Sequence, residues 1–365
     1  MNHLDVEPTE EQKMLVEALR RFAAGRMQPA FRDADEEGSI PEGILQAGRD
    51  FGLLPSALPE AYGGLGDYSA VTNALAVEEL AAGDLAMTLA LLTPWLVALP
   101  LLLDGAEPQR ETWLPRFCQP GSPRATAAFC EPAVQFDLFH MQTTAVRENG
   151  SYVLNGLKSQ VPLADTAETF LVYAQEDGQT QAFLVPAGAA GLEIGPREKL
   201  MGIRALPTFR LRLDDCHIPA SGRLGGQAGS DFERLLSHSR IALGAAGVGL
   251  ARAAWSYARD YALGRVQFGE PIAQRQAIAF MLAEMAIDVD AARLMVWEAA
   301  WLLDQGRDAG RECALLKQFV DEAALRTADR AVQILGGYGY VRDYPAELWL
   351  RNARGLAVFD GLAII

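Results

Sequence analysis

One apolar stripe constrains this chain more than any other feature. Ile278, Met281, Leu282, Met285, Val289, Ala292, Met295, Ala299 and Leu302 step along the sequence by three or four, the spacing of residues sharing one face of an α-helix. A helix of that length cannot hide such a face by itself, so it must be one member of a bundle. The methionines on it are adaptable packing side chains, not a cofactor signature.

The period is different upstream. From about Thr126 the sequence turns to strand signals. FRLRLDD, Phe209 to Asp215, alternates apolar and charged residues as a strand with one wet face does. Asn149-Gly150 separates TTAV from YVLNG, and Asp177-Gly178 separates TFLVYAQ from QAFLV. Both dipeptides suit the tight turns of β-hairpins, so an antiparallel sheet or barrel is expected here, not a parallel nucleotide-binding sheet. The remaining N-terminal third reads as helices. Pro8-Thr9-Glu10-Glu11 opens an amphipathic run carrying Leu15, Leu19 and Phe22, while Ile44 and Leu45 belong to a second, short helix. PEAYGGLGD, Pro59 to Asp67, is a glycine-rich loop ahead of the helix VTNALAVEELAAGDLAM. The expected class is therefore α+β, divided into a helical domain over 1–118, a middle β domain over 119–224 and a helical bundle over 225–365.

Two segments invite other readings. LAMTLALLTPWLVALPLLL, Leu85 to Leu103, is about as long as a membrane span. Pro94 and Pro100 interrupt it, and Asp84 and Asp104 flank it with no cluster of basic residues, so two buried helices meeting near Pro94 are expected. GAAGVG, Gly244 to Gly249, carries three glycines, but inside a helical pattern and in the wrong order for a dinucleotide fingerprint. Close helix packing explains it.

Charge and cysteine content exclude further classes. Against 47 acidic residues stand 32 Lys and Arg, a net charge of -15, which repels nucleic-acid backbones. Cys118, Cys130, Cys216 and Cys313 are scattered, and His3, His140, His217 and His238 lack metal-ligand spacing, so neither a disulfide framework nor a metal site is expected. The opening MNHLDVEPTEEQ is acidic and polar, unlike a secretory signal, and a cytoplasmic protein with no membrane span is expected.

Four stretches carry a family resemblance, in order along the chain: LLPSALPEAYGGLG (from Leu53), MGIRALPTFRLRLDDCHIP (from Met201), GRVQFGEPIAQRQAIAFMLAEMA (from Gly264) and QILGGYGYVRDYPAELWLRNARGLAVFDG (from Gln333). They resemble the acyl-CoA dehydrogenases, flavoproteins of fatty acid metabolism. The resemblance implies an N-terminal helical domain, a middle β-domain and a C-terminal four-helix bundle, assembled as homodimers or homotetramers. It implies FAD between the β-domain and the bundle, with its adenosine end reaching a neighbouring subunit. The implied reaction acts on an acyl-CoA or other acyl thioester: a carboxylate takes the α-proton while the β-hydrogen leaves as hydride to the flavin.

Residue by residue, the resemblance makes Arg265, Phe268 and Gln276, with Gln333, Gly336 and Gly337, binders of a partner's FAD. An arginine beside a pyrophosphate supplies charge-assisted hydrogen bonds. Glycines let backbone approach the cofactor closely. CEPAVQFD aligns with the family's T-E-P-G-x-G-S-D flavin loop, keeping Glu131, Pro132 and Asp137. Cys130, at a cofactor-binding position, and Ala133, Gln135 and Phe136 replace the family's residues. In LKSQVPLAD, Gln160 and Pro162 stand where the family has the Trp and Thr that pack on and hydrogen-bond the flavin ring. The implied base is Asp360, one methylene shorter than the family's usual Glu and shared with members resembling nitroalkane oxidase. Other members carry the base just before an arginine. That position is Ser239 here, beside Arg240, a substrate-binding position, and serine cannot replace a carboxylate. LAII follows directly on the base, where family members continue with Thr and a further helix.

Three activities fit these residues: an FAD-dependent dehydrogenase using Asp360, a non-catalytic subunit completing a homologous partner's FAD site, and a nitroalkane-oxidase-like flavin oxidase.

Overall fold

In a computed structural model describing residues 7–119 and 121–365, helices flank a seven-stranded sheet on both sides in sequence. His3 lies outside the described residues. The first group comprises α1 (Glu10–Phe22), α2 (Gln28–Glu37), α3 (Glu42–Arg49), α4 (Leu53–Ser56), α5 (Ala70–Gly83), α6 (Leu85–Leu92), α7 (Trp95–Asp104) and α8 (Glu107–Phe117). Thr9 opens α1 as the sequence suggests. Its hydroxyl accepts from the Gln12 N–H while the Gln12 side chain returns to the Thr9 N–H, a reciprocal cap. The apolar Leu85–Leu103 segment divides at Thr93-Pro94 into α6 and α7, bent by 44°, and both are buried within the protein. Among the described residues no single helix is long and apolar enough to cross a membrane.

The strands are β1 (Ala125–Ala128), β2 (Thr144–Glu148), β3 (Ser151–Pro162), β4 (Thr169–Glu176), β5 (Gln179–Pro186), β6 (Leu192–Arg197) and β7 (Thr208–Pro219), in the order β1-β4-β2-β3-β7-β6 with β5 also on β4. Both expected hairpins form. Asn149 and Gly150 take φ of 48° and 81°, Asp177 and Gly178 of 50° and 81°, the left-handed pair that matches strand twist. Antiparallel pairing dominates, but β1 runs parallel to β4 over Ala125–Ala128, and Thr144 of β2 pairs with Gln175 of β4 in parallel. Hairpin signals could not reveal these contacts, because they join strands separated by long connections.

The second helical group begins with α9 (Phe232–Gly264). A short ribbon, β8 (Val266–Gln267) and β9 (Glu270–Pro271), leads to α10 (Gln276–Asp304), α11 (Gly310–Leu335), α12 (Gly337–Tyr340) and α13 (Ala346–Leu356). The apolar stripe lies on α10, with Met285, Val289, Ala292, Ala299 and Leu302 buried. GAAGVG is helix packing: a Cβ on Gly249 would lie 2.3 Å from the Glu78 carbonyl oxygen, so its missing side chain lets α5 and α9 touch. Arginines from three helices then converge on α5. Arg20 and Arg252 grip Glu79, and Arg293 grips Glu78. Asp304 closes the N-terminal end of α5 by accepting from the Ala70 N–H at 2.6 Å.

Candidate functional site

The expected site residues fall into two clusters on opposite ends of α9. Arg240 and Arg265 are roughly 37 Å apart along that helix at ~1.5 Å per residue, too far for one cofactor held by one chain to touch both.

At the far end, Arg265 follows the last turn of α9 and its guanidinium lies 5.6 Å from the centre of the Tyr338 ring. Both line a cavity of about 790 Å³ with Tyr261, Ile272, Gly337 and Tyr344. Gly336, with φ of 60°, turns the chain from α11 into α12, and nothing lies within 4 Å of where a Cβ on Gly336 or Gly337 would be. Gln333 sits exposed on the preceding turn. Phe268, with φ of 57°, stands 93% exposed at the tip of the β8–β9 ribbon, and Gln276 begins α10, also exposed. A cation, an open glycine turn and an aromatic projecting into solvent suit the pyrophosphate and adenosine of a dinucleotide.

The other cluster gathers around Asp360. Arg240 Nε lies 3.7 Å from Asp360 Oδ1, and both atoms are buried without a hydrogen-bond partner. Burial raises the pKa of Asp360, opposed by the positive charges of Lys317 and Arg240. Lys317 is itself buried on α11, its Nζ 2.5 Å from Asp321 Oδ2 one turn later. Cys130 meets the same point: its thiol donates to the Asp360 carbonyl oxygen at 3.2 Å, and burial pushes it up to about 11. Ser239 Oγ accepts from the Gly361 N–H at 3.1 Å. The structure thus joins Cys130, Arg240 and Asp360 and leaves the other expected residues at the far end of α9.

Beside Cys130 the flavin loop holds itself together. Glu131 accepts from the Gln142 and Thr143 N–H groups and from Lys158 Nζ at 2.9 Å. Burial opposes its ionisation, but Lys158 and these donors outweigh that and hold its carboxyl below the usual range. The N–H of Ala133 is bonded to the Glu131 carbonyl at 2.8 Å, and that of Gln160 to the Glu198 carboxylate at 2.8 Å. Pro162 has no N–H. The chain's own atoms therefore fit the adenosine–pyrophosphate end of FAD. Where the resemblance puts the flavin ring, Ala133, Gln160 and Pro162 offer no hydroxyl and no unpaired backbone N–H.

Sequence reasoning missed three contributors. Lys317 and Asp321 sit in an unremarked helical stretch, where only their four-residue separation hinted at a pair. His238 carried no motif, yet its Nδ1 lies 2.7 Å from the Tyr68 hydroxyl and 2.8 Å from the Ile365 main-chain oxygen. Burial lowers its pKa to about 4.

Comparison with known proteins agrees with this three-part fold. Three family models match in succession: the acyl-CoA dehydrogenase N-terminal domain over 9–120, the middle domain over 126–216 and the C-terminal domain over 230–363. An acyl-CoA dehydrogenase of Bacillus subtilis is 35% identical over 97% of this chain and 95% of its own. The human mitochondrial short-chain specific acyl-CoA dehydrogenase is 35% identical over 99% of this chain and 89% of its own. The structure of butyryl-CoA dehydrogenase from Megasphaera elsdenii superposes with a TM-score of 0.89 at 30% identity, covering 97% of this chain and 95% of that one. The three family models and relatives alike over nearly the whole chain place it in one family: it belongs to the acyl-CoA dehydrogenases.

Proposed function

We propose that this chain is an FAD-dependent dehydrogenase of acyl-CoA thioesters in which Asp360 takes the α-proton. The observation that carries this reading is the partly buried Asp360 carboxylate, whose buried Oδ1 faces Arg240 at 3.7 Å with no hydrogen-bond partner. Burial raises its affinity for a proton, which suits a general base. Arg240 orients the carboxylate on the substrate side. FAD, when bound, supplies the hydride acceptor. Arg265, Phe268, Gln276, Gln333, Gly336 and Gly337 hold the adenosine end of the FAD belonging to a second copy, and Cys130 lies on the loop that faces the flavin. The non-catalytic subunit and the nitroalkane-type oxidase are not favoured, since the relatives named above are acyl-CoA dehydrogenases.

The reading carries the division into 1–118, 119–224 and 225–365, a cytoplasmic location, and a homodimer or a dimer of dimers. Phe280, Ile287 and Leu294 of α10 support the assembly, being 58%, 66% and 49% exposed at seven-residue spacing, an apolar strip suited to a second copy. Ile287→Glu is expected to shift the chain toward monomer in light scattering after size exclusion. An unchanged mass would remove α10 from the interface.

An absorbance spectrum of the purified chain, desalted after incubation with FAD, tests the cofactor. Near-ultraviolet and blue bands at about one FAD per chain, bleached by butyryl-CoA, are expected from a flavin that accepts hydride. A colourless chain would overturn the reading of an autonomous flavoenzyme.

A further inference from the structure

Four charged side chains from three parts of the chain gather where α9 packs closely on α11. A Cβ on Gly244 would lie 2.7 Å from Leu316 Cδ1, and one on Gly247 would lie 2.5 Å from Val320 Cγ1 and 3.1 Å from Leu356 Cδ2. The missing side chains bring α9, α11 and the end of α13 together. Arg240 stands one turn before Gly244, Lys317 and Asp321 follow directly on Leu316 and Val320, and Asp360 comes four residues after Leu356. Asp360 Oδ1 accepts no hydrogen bond, and Arg240 Nε approaches it only to 3.7 Å. Burial and through-space charge, not donors at that oxygen, therefore govern the carboxylate.

Lys317 is the cation whose influence is held in check. Its side chain is buried, its Nζ lies 2.5 Å from Asp321 Oδ2 one turn along α11, and it makes no other hydrogen bond among the described residues. An ammonium tied to a carboxylate acts on a third group as a dipole, because the two Coulomb energies nearly cancel at a distance. Asp321 thus hides part of the Lys317 charge from Asp360. The charges are mutually felt: burial raises the pKa of both carboxyls, Lys317 opposes the rise at each, Arg240 opposes it at Asp360, and Asp360 adds to it at Asp321. The other neighbours contribute little charge. The Cys130 thiol donates to the main-chain carbonyl of Asp360, and Glu322 is exposed to solvent.

We propose that Lys317 and Asp321 are positioning residues for proton transfer: their bond fixes the ammonium near the base while the Asp321 carboxylate shields it, and this balance sets how strongly Asp360 takes a proton. The proposal deepens the dehydrogenase reading and rests on it for what the base does. An unshielded ammonium would leave Asp360 a weak base. With no ammonium at all, Asp360 would hold its proton to higher pH and be free to act over less of the pH range.

Carbon-13 NMR of the full chain, labelled at its aspartate carboxyls, follows Asp360 directly, with its signal assigned by its loss in Asp360→Asn. Asp321→Asn keeps an acceptor for Lys317 but removes the shielding charge. It is expected to lower the titration midpoint of Asp360 by about one pH unit, a tenfold loss of proton affinity. Lys317→Met removes the cation and is expected to raise the midpoint by a similar amount. Lys317→Arg keeps the charge and should leave the midpoint close to that of the unaltered chain. Folding of each is checked by circular dichroism, and Lys317→Gln replaces the methionine variant if that one does not fold. An unmoved midpoint in Asp321→Asn, or displacements of the same sign in the two charge-removing variants, overturns the proposal, since loosened packing alone would move both the same way. The pH profile of α-proton exchange from butyryl-CoA into deuterated water should shift in the same two opposite directions. Opposite NMR shifts with no exchange in the unaltered chain would sink the dehydrogenase reading and leave the charge balance standing. Exchange with unmoved midpoints would do the reverse.

Discussion

Asp360→Asn is expected to slow exchange of the α-protons of butyryl-CoA with deuterated water by about 10²–10⁴-fold, the usual contribution of a positioned base. The amide matches the carboxylate in shape but cannot accept the proton. Affinity for butyryl-CoA should change little, because the carboxylate acts on the Cα–H bond and not on the CoA moiety. Exchange is the right readout because it follows proton removal alone and needs no electron acceptor.

The pH profile supplies a second signature. Burial raises the folded pKa of Asp360 above the ordinary carboxylate value, against the pull of Lys317 and Arg240. The base is inactive when protonated, so the wild-type rate should climb as pH rises through that elevated midpoint and level off above it. Asp360→Asn should show no such climb. An exchange rate in the variant equal to that of the wild type would move the base elsewhere. Asp321 would then be the first carboxylate to test, since it is partly buried next to Lys317.

Much of this arrangement can be read from residue order, and the part that cannot has a common cause. Local signals survive intact: the Thr9 cap, the Asn149-Gly150 and Asp177-Gly178 turns and the stripe on α10 are each written within a few residues. The family resemblance located Asp360, Arg240 and Cys130, and the structure brings these three together. What order along the chain hides is contact between distant segments. The parallel pairing of β1 with β4 has no local mark. Nor does the meeting of His238 with Tyr68 and Ile365, which are far from one another in sequence. Nor do Leu362, Ala363, Ile364 and Ile365 carry any local mark of their surroundings, yet all four are buried, because apolar side chains gain from leaving water.

Glu79→Ala is expected to destabilise the fold by about 3–5 kcal/mol, the cost of breaking a buried ion pair from one side. Glu79 is 4% exposed. Arg252 grips both its oxygens at 2.7 and 2.8 Å, and Arg20 adds contacts at 2.9 and 3.2 Å. Burial opposes ionisation of Glu79, but the two guanidinium groups outweigh it and hold its pKa below the usual value. A carboxyl depressed in this way contributes stability above its unfolded pKa and loses it as pH falls through the folded one, so the deficit of the variant should shrink in acid. With an unfolding entropy of ~2 cal/mol/K per residue, the melting temperature at neutral pH should drop by about 4–7 °C. Truncation leaves the mostly buried Arg252 with only Glu78, at 3.5 Å. The penalty is thus chiefly that of a stranded cation, not of lost attraction. That distinction is measurable. Pairing Glu79→Leu with Arg252→Met removes both charges and keeps apolar volume, and should recover most of the loss. If the double variant is as unstable as Glu79→Ala, the arginine contacts themselves are what hold α1, α5 and α9 together.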